Sequence, residues 1–209
     1  MIYIIITSSI NNKIGKINPE QRKNRYIDCI TELLDFIKND DSFYPIIVEN
    51  NGKRKTFLDD LKCDVFYTDN NKFKFSNKGG NELCDIKSVI KRYNIQDDDT
   101  IIKLTGRYKI LDSKFLDLVK NNEKEYEAFV KFYNVSTRKF SEEMEDLVLG
   151  LYAVKCKYIK NFDYKYIKCP EAEFATYLKN TVAIDKISQL NYLGLECNFA
   201  EYVNYVLIV

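Results

Sequence analysis

Ile2-Tyr3-Ile4-Ile5-Ile6-Thr7-Ser8-Ser9 is the stretch that decides the fold. A run of β-branched and aromatic residues without alternation leaves no polar face, so Ile2 to Ile6 reads as a strand buried on both sides. Thr7, Ser8 and Ser9 end it with small polar groups. The same grammar returns downstream. Pro45-Ile46-Ile47-Val48 is a second apolar run and stops at Glu49-Asn50-Asn51-Gly52, a turn-rich polar cluster. Cys63 to Thr68 reads as a third strand, closed by Asp69-Asn70-Asn71. Ile101-Ile102-Lys103-Leu104 is a fourth and runs into Thr105-Gly106-Arg107-Tyr108.

Helical signals fill the gaps. Asn18 can cap a helix with Pro19 at its first position. Tyr26, Ile27, Ile30, Leu33, Leu34 and Ile37 then recur at helical spacing. Thr56 to Leu61 reads as a short helix, and Glu82 to Tyr93 as a longer one behind Asn77-Lys78-Gly79-Gly80-Asn81. This alternation of strands and helices predicts an α/β fold, a Rossmann-like, mostly parallel sheet with helices on both faces. Ligands of such sheets bind beyond the carboxyl ends of the strands, near a topological switch point. The polar groups that end the strands are therefore the first candidates for a site.

The rest of the chain is less regular. Asp112-Ser113-Lys114-Phe115 starts a short helix, and Ala128 to Phe132 alternates like a strand. Glu145 to Phe162 reads as a mixed helical stretch, and Pro170-Glu171 opens another helix. Tyr202 to Val209 is apolar enough for a closing strand or helix. No repeat, low-complexity linker or Pro/Gly-rich boundary divides residues 1–209, so one domain is expected.

Composition narrows the chemistry. The net charge of +1 and the lack of a basic stripe speak against nucleic acid or an anionic membrane as partner. Histidine is absent, which excludes Ser-His-Asp and Cys-His catalysis and leaves acid–base work to Asp, Glu, Lys, Tyr or Cys. The six cysteines form no Cys-x-x-Cys pair and read as reduced thiols of a cytosolic protein. The apolar start lacks a basic leader region, and no apolar run approaches the roughly 20 residues that span a bilayer. A cytoplasmic chain without a membrane span is expected.

Several segments can carry a site. Two glycines ahead of a helix, in Asn77-Lys78-Gly79-Gly80, allow close backbone approach to a phosphate, with Lys78 adding charge; a plain turn explains them equally. Lys103 is anomalous in a buried strand and must pair or reach the cleft. Arg107, next to Gly106, can clamp a diphosphate bidentately. Alternatively both cations pair with Asp97, Asp98, Asp99 or another carboxylate in a structural network. Those three aspartates precede the strand, away from the expected ligand end, and read as a solvated connection rather than a metal site. Glu171 and Glu173 can act as a general base or simply favour a helix start. Lys131 and Asn134, near the end of a strand, can hold an acceptor or decorate an edge.

The order of these parts, and above all the Lys-x-Thr-Gly-Arg-Tyr stretch at residues 103–108, resembles GT-A glycosyltransferases, in particular small glycosyltransferase-like proteins of giant DNA viruses and bacteria. The resemblance implies a nucleotide-sugar donor and a glycan or other hydroxyl acceptor. It implies a nucleotide-binding half at 1–110 and an acceptor and catalytic half at 111–209. It would place Thr7, Ser8, Ser9, Glu49, Asn50, Asn77, Lys78, Gly79, Lys103, Thr105, Gly106 and Arg107 around the donor, and Lys131 and Asn134 at the acceptor. Glu173 or Glu171 would be the base of an inverting reaction, and a retaining reaction stays open beside it. The family's Asp-x-Asp metal motif is replaced by Thr105-Gly106-Arg107. A reaction without a divalent metal is therefore favoured, with Lys103 and Arg107 neutralising the leaving diphosphate and no other cofactor. The other reading is a nucleotide-binding module of the same fold without turnover.

Overall fold

The computed structural model describes residues 1–11, 18–52, 54–72, 78–133, 146–198 and 206–209, with the Lys78 side chain left aside. Six of seven strands in the main sheet run in one direction. β1 (Ile2–Ser8), β2 (Phe43–Glu49), β3 (Asp64–Tyr67) and β4 (Thr100–Thr105) lie parallel in the order β3-β2-β1-β4. β7 (Leu151–Lys155) pairs antiparallel with β4, and β6 (Ala128–Val130) antiparallel with β7. β8 (Ile187–Gln189) closes the edge parallel to β6. β5 (Lys109–Ile110), β9 (Leu195–Asn198) and β10 (Val206–Ile208) form a second, three-stranded sheet. The expected α/β, GT-A-like arrangement is present, and residues 1–110 and 111–209 both supply strands to the main sheet.

Period-two alternation along the central strands feeds two apolar clusters, one on each face. Ile4, Ile6, Ile47, Ile102 and Leu104 meet α1 (Pro19–Ile37) and α3 (Lys114–Asn122) through Tyr26, Ile30, Leu33, Phe115 and Val119. Ile5, Ile46, Val48 and Ile101 meet α2 (Lys78–Arg92), α4 (Cys156–Asn161) and α5 (Pro170–Thr181) through Ile86, Val89, Ile159, Phe174 and Leu178. The cap at Asn18 is formed, its Oδ1 accepting from Glu20 N at 2.9 Å. Among the described residues no helix is long and apolar enough to cross a membrane.

Three expectations change. The helix α2 starts at Lys78, so Gly79 and Gly80 lie in its first turn rather than ahead of it. Within the stretch expected as helical, Leu151–Lys155 is a strand, β7, followed by α4, because Leu151-Tyr152-Ala153-Val154 is a short apolar run buried among strands. Periodicity cannot separate such a run from a buried helix. The strand at Ala128 is shorter than Phe132, which makes only an isolated bridge to Leu147.

Candidate functional site

The register of the sheet gathers one set of strand ends. Thr7 faces Thr105 and Ser8 faces Glu49 across the ladder, and Gly106 N donates to Thr7 O at 2.9 Å. Thr7, Ser8, Ser9, Glu49, Asn50, Thr105, Gly106 and Arg107 therefore share one end of the sheet, and Gly79 and Glu82 of α2 join it through the Glu82 contacts described below. β2 and β3 lie on one side of β1 and β4 on the other, which makes the β1/β4 crevice the topological switch point. Gly106 is needed there: a Cβ would meet Ile6 Cγ2 at 3.0 Å, Tyr26 Cε1 at 3.1 Å and the Thr7 carbonyl at 3.2 Å.

On the α2 face of this crevice sits a buried ion pair. Lys103 is 1% exposed, and its ammonium donates to Glu82 Oε2 at 3.1 Å, Thr105 Oγ1 at 2.7 Å and Leu149 O at 2.7 Å. Three donors and three acceptors leave it fully committed. Glu82 also accepts from Thr7 Oγ1 at 3.2 Å. Burial pushes the Glu82 carboxyl up, but the charges of Lys103 and Arg107 outweigh it and hold it below the usual range. Burial pulls the Lys103 ammonium down, and Glu82 restores only part. The partner of Lys103 is thus Glu82 and not the Asp97–Asp99 run. Asp97 pairs with Lys160 at 2.7 Å and Asp99 with the terminal amine at 3.2 Å, at the amino end of β4. Nothing but a carboxylate one turn into a glycine-led helix signalled Glu82 in the sequence.

At the end of β2 the polar groups turn inward. Glu49 is fully buried and accepts from Ser8 Oγ at 2.8 Å, Ile10 N at 3.1 Å and Asn51 N at 3.1 Å, and also from the Asn51 amide. It pins the loop that follows β1. Asn50 donates to Asp85 Oδ2 at 2.9 Å, while its own Oδ1 is buried without a partner among the described residues. Asp85 also accepts from Thr68 Oγ1 and Asn70 Nδ2, each at 2.8 Å. Burial raises its carboxyl to about 6 against these hydrogen bonds.

Arg107 lies on the α1 face. Its Nε donates to Asn198 O at 3.1 Å and its guanidinium stacks 5.0 Å from the centre of the Tyr108 ring. Arg25 holds the Arg107 carbonyl at 3.0 Å and pairs with Glu196 at 2.5 Å, so α1 and β9 fix this residue from two sides.

The remaining expected residues divide. Glu173 accepts backbone N–H groups of Lys165 at 2.7 Å, Ile167 at 2.6 Å and Lys168 at 2.8 Å, so its carboxylate organises the 165–168 loop. Glu171 is raised by burial and by the nearby charges of Glu82 and Asp146. Lys131 is buried, donates to Asn191 O and lies 5.2 Å from the centre of the Tyr133 ring. Asn77 and Asn134 fall outside the described residues, as does the Lys78 side chain. A pocket of about 420 Å³, counting the solvent at its mouth, opens between α2, β4, α4 and α5. Its walls include Gly79, Glu82, Lys103, Tyr152, Phe162 and Phe174.

An α/β sheet whose buried polar groups gather at the switch point, with one reversed strand inserted after β4, defines a GT-A-like class of fold. Solved structures of that class superpose on the chain. A protein assigned as a nucleotide-diphospho-sugar transferase from Desulfovibrio desulfuricans matches with a TM-score of 0.55 at 9% identity, over 90% of this chain and 79% of that one. A mannosyltransferase from Pyrobaculum calidifontis, solved with GDP-Man and Mn2+, matches with a TM-score of 0.55 at 8% identity, over 90% of this chain and 54% of that one. A CMP:2-keto-3-deoxy-manno-octonic acid synthetase complexed with CTP matches with a TM-score of 0.53 at 9% identity, over 96% of this chain and 93% of that one. At such identities the likeness is one of fold. No protein-family model matches the sequence, and no curated protein sequence matches it.

Proposed function

We propose that the chain is a glycosyltransferase that moves a sugar from a nucleotide-sugar to a hydroxyl acceptor. The observation that carries this reading is the gathering of Thr7, Thr105 and Arg107 at the β1/β4 switch point, with Asn50 at the neighbouring β2 end, in a fold shared with nucleotide-sugar transferases. The unpartnered Asn50 Oδ1 would accept from the base. Arg107 would face the diphosphate, with the α2 N-terminus at Lys78 and Gly79 on the other side. Ser8, Ser9 and Glu49 would shape the loop against the nucleotide, and Gly106 would let it approach. Lys131, and Asn134 beyond it, would border the acceptor.

In the transfer step the acceptor oxygen attacks the anomeric carbon as the carbon–oxygen bond to the diphosphate breaks. The nucleoside diphosphate leaves with the bonding electrons, and the acceptor proton passes to a carboxylate. Glu171 is the better base, because Glu173 spends its oxygens on three backbone N–H groups. A raised carboxyl near the cleft suits proton transfer at neutral pH. With Thr105-Gly106-Arg107 at the end of β4 in place of paired carboxylates, a reaction without a divalent metal is the reading favoured here. Charge on the leaving group would be met by Arg107 directly, with Lys103 contributing its field through Glu82 and Thr105.

Nucleotidyl transfer is the second reading, favoured by the 93% span of the CTP-bound synthetase. Incubation with a panel of sugar nucleotides, and separately with nucleoside triphosphates plus sugar phosphates, decides between them. Nucleoside diphosphate release supports glycosyl transfer. Pyrophosphate release from the triphosphates supports the second reading. Nucleotide binding without either product leaves a module without turnover.

A further inference from the structure

Arg22 was not singled out by any motif, yet it is 7% exposed on the first turns of α1. Its Nε and Nη2 donate to Ser9 O at 3.1 and 2.7 Å, and Nη2 also to the Tyr26 hydroxyl at 3.2 Å. Neither Arg22 nor Arg107 has a carboxylate ion pair among the described residues, whereas Arg25 beside them does. Two buried or half-buried guanidinium groups at one crevice, with Glu82 reaching Arg107 only through its field and no carboxylate in contact with either, are costly unless an anion completes them.

Tyr26 sits between them. It is 1% exposed, and its ring packs against Gly106. Its hydroxyl oxygen accepts from Ser9 N at 3.1 Å and from Arg22, and it also faces the Arg107 guanidinium. A phenol has two acceptor lone pairs and one proton. Two N–H donors fill the lone pairs, so the proton is left to donate. The cluster carries two positive charges, and the acceptors they meet are the backbone carbonyls of Ser9 and Asn198, with no ion-paired carboxylate among the described residues.

We propose that Arg22, Tyr26 and Arg107 form one phosphate cradle at the β1/β4 switch point, which takes the diphosphate of the ligand and makes helix α1 part of the binding site. The cradle needs an anion with several acceptor oxygens and close to two negative charges, which a phosphate or diphosphate supplies and a single carboxylate does not. That the phosphate belongs to a nucleotide-sugar rests on the function proposed above; the cradle itself does not.

The test is calorimetric titration of inorganic pyrophosphate into the whole chain in excess chelator. Wild type should bind. Arg22→Gln and Tyr26→Phe should each weaken binding at least tenfold, while Lys38→Gln, an exposed helix-end change, should leave it unaltered. Circular dichroism accompanies each variant. If Tyr26→Phe or Arg22→Gln fails to fold, Arg107→Gln carries the same expectation. No pyrophosphate binding in wild type, or equal binding in the folded variants, overturns the cradle. A nucleoside diphosphate titrated in parallel separates the two readings. If it binds wild type and the variants equally, the cradle fails and the nucleotide reading survives. If pyrophosphate depends on the cradle but the nucleoside adds no affinity, the cradle stands and the nucleotide reading fails.

Discussion

Replacing Glu82 by Gln removes the counter-ion of an ammonium whose side chain is 2% exposed. Removing one partner of a buried pair costs roughly 3–5 kcal/mol, because the other charge stays behind. Lys103 retains Thr105 Oγ1 and Leu149 O, and it can shed a proton that burial already loosens, so about 3 kcal/mol is expected. Lys103→Met is milder. It leaves Glu82, whose side chain is 30% exposed and can rehydrate, and strands mainly the Leu149 carbonyl. About 2 kcal/mol follows from one orphaned acceptor and a weakened carboxylate. The double variant holds neither charge, so it should be no less stable than Glu82→Gln, with a coupling of about 1–3 kcal/mol. Urea unfolding at neutral pH measures all four proteins, provided the slopes agree. The folded ammonium gives up its proton at lower pH than the unfolded one, so stability in Glu82→Gln should rise as pH climbs toward the ordinary lysine range. Additive losses, within about 0.5 kcal/mol, would refute the pairing as an energetic unit.

Asp85 has a folded value raised to about 6. Its stabilising contribution is present below the ordinary aspartate range and lost as pH rises through about 6, a span of order 3 kcal/mol at 1.4 kcal/mol per unit. Asp85→Asn should flatten that part of the wild-type pH–stability curve, and an unchanged curve would remove Asp85 as its source. Gly150→Ala would place a Cβ 2.6 Å from the Tyr108 ring carbons, so thermal unfolding should fall by about 1–3 kcal/mol, with Tyr108→Ala relieving the clash. Arg107→Ala should lose about 2–4 kcal/mol of transition-state stabilisation, roughly 30- to 1000-fold in sugar transfer, and Arg107→Lys should recover only part. Wild-type transfer rates in a folded Arg107→Ala protein would take away its role.

The first half of the fold was legible because its strands are long apolar runs closed by polar groups, and because Asn18-Pro19 marks a helix start unambiguously. Legibility stopped where strands shorten. β5 has two residues, and β8 and β9 owe their pairing to distant partners, which no local pattern encodes. β7 was read as helix because a five-residue apolar run carries no period of its own. Of the site, the residues that end strands were legible. Their partners were not: Glu82, Asp85 and Arg22 lie on helices, where a charged residue ordinarily faces water, and only tertiary packing turns them inward. The same packing distinguishes Glu171 from Glu173, two residues apart on one helix, by giving Glu173 three backbone donors.

The distribution of buried polar groups is the strongest link between this energetics and function. A sheet of this size can be filled with apolar side chains throughout, and each buried charge or amide lowers stability unless it is bonded. Apart from Thr100, which bonds Glu123, the amino half of the central strands follows that rule, with Ile2, Ile4, Ile46, Ile101 and Ile102 in the interior. The carboxyl end breaks it repeatedly: Thr7, Ser8, Glu49, Asn50, Lys103 and Thr105 are all buried, and Arg22 and Asp85 close over them from helices on opposite faces. Most of these groups bond one another. Two features are informative because they differ in kind: an acceptor, Asn50 Oδ1, without a partner among the described residues at the β2 end, and two guanidinium groups beside Tyr26 that have no ion-paired carboxylate among the described residues at the β1/β4 crevice. A ligand that donates at one end and carries negative oxygens at the other would satisfy both. A nucleotide has that polarity, with base N–H groups and phosphates separated by a ribose, and its base and diphosphate would lie along the strand ends from β2 toward β4.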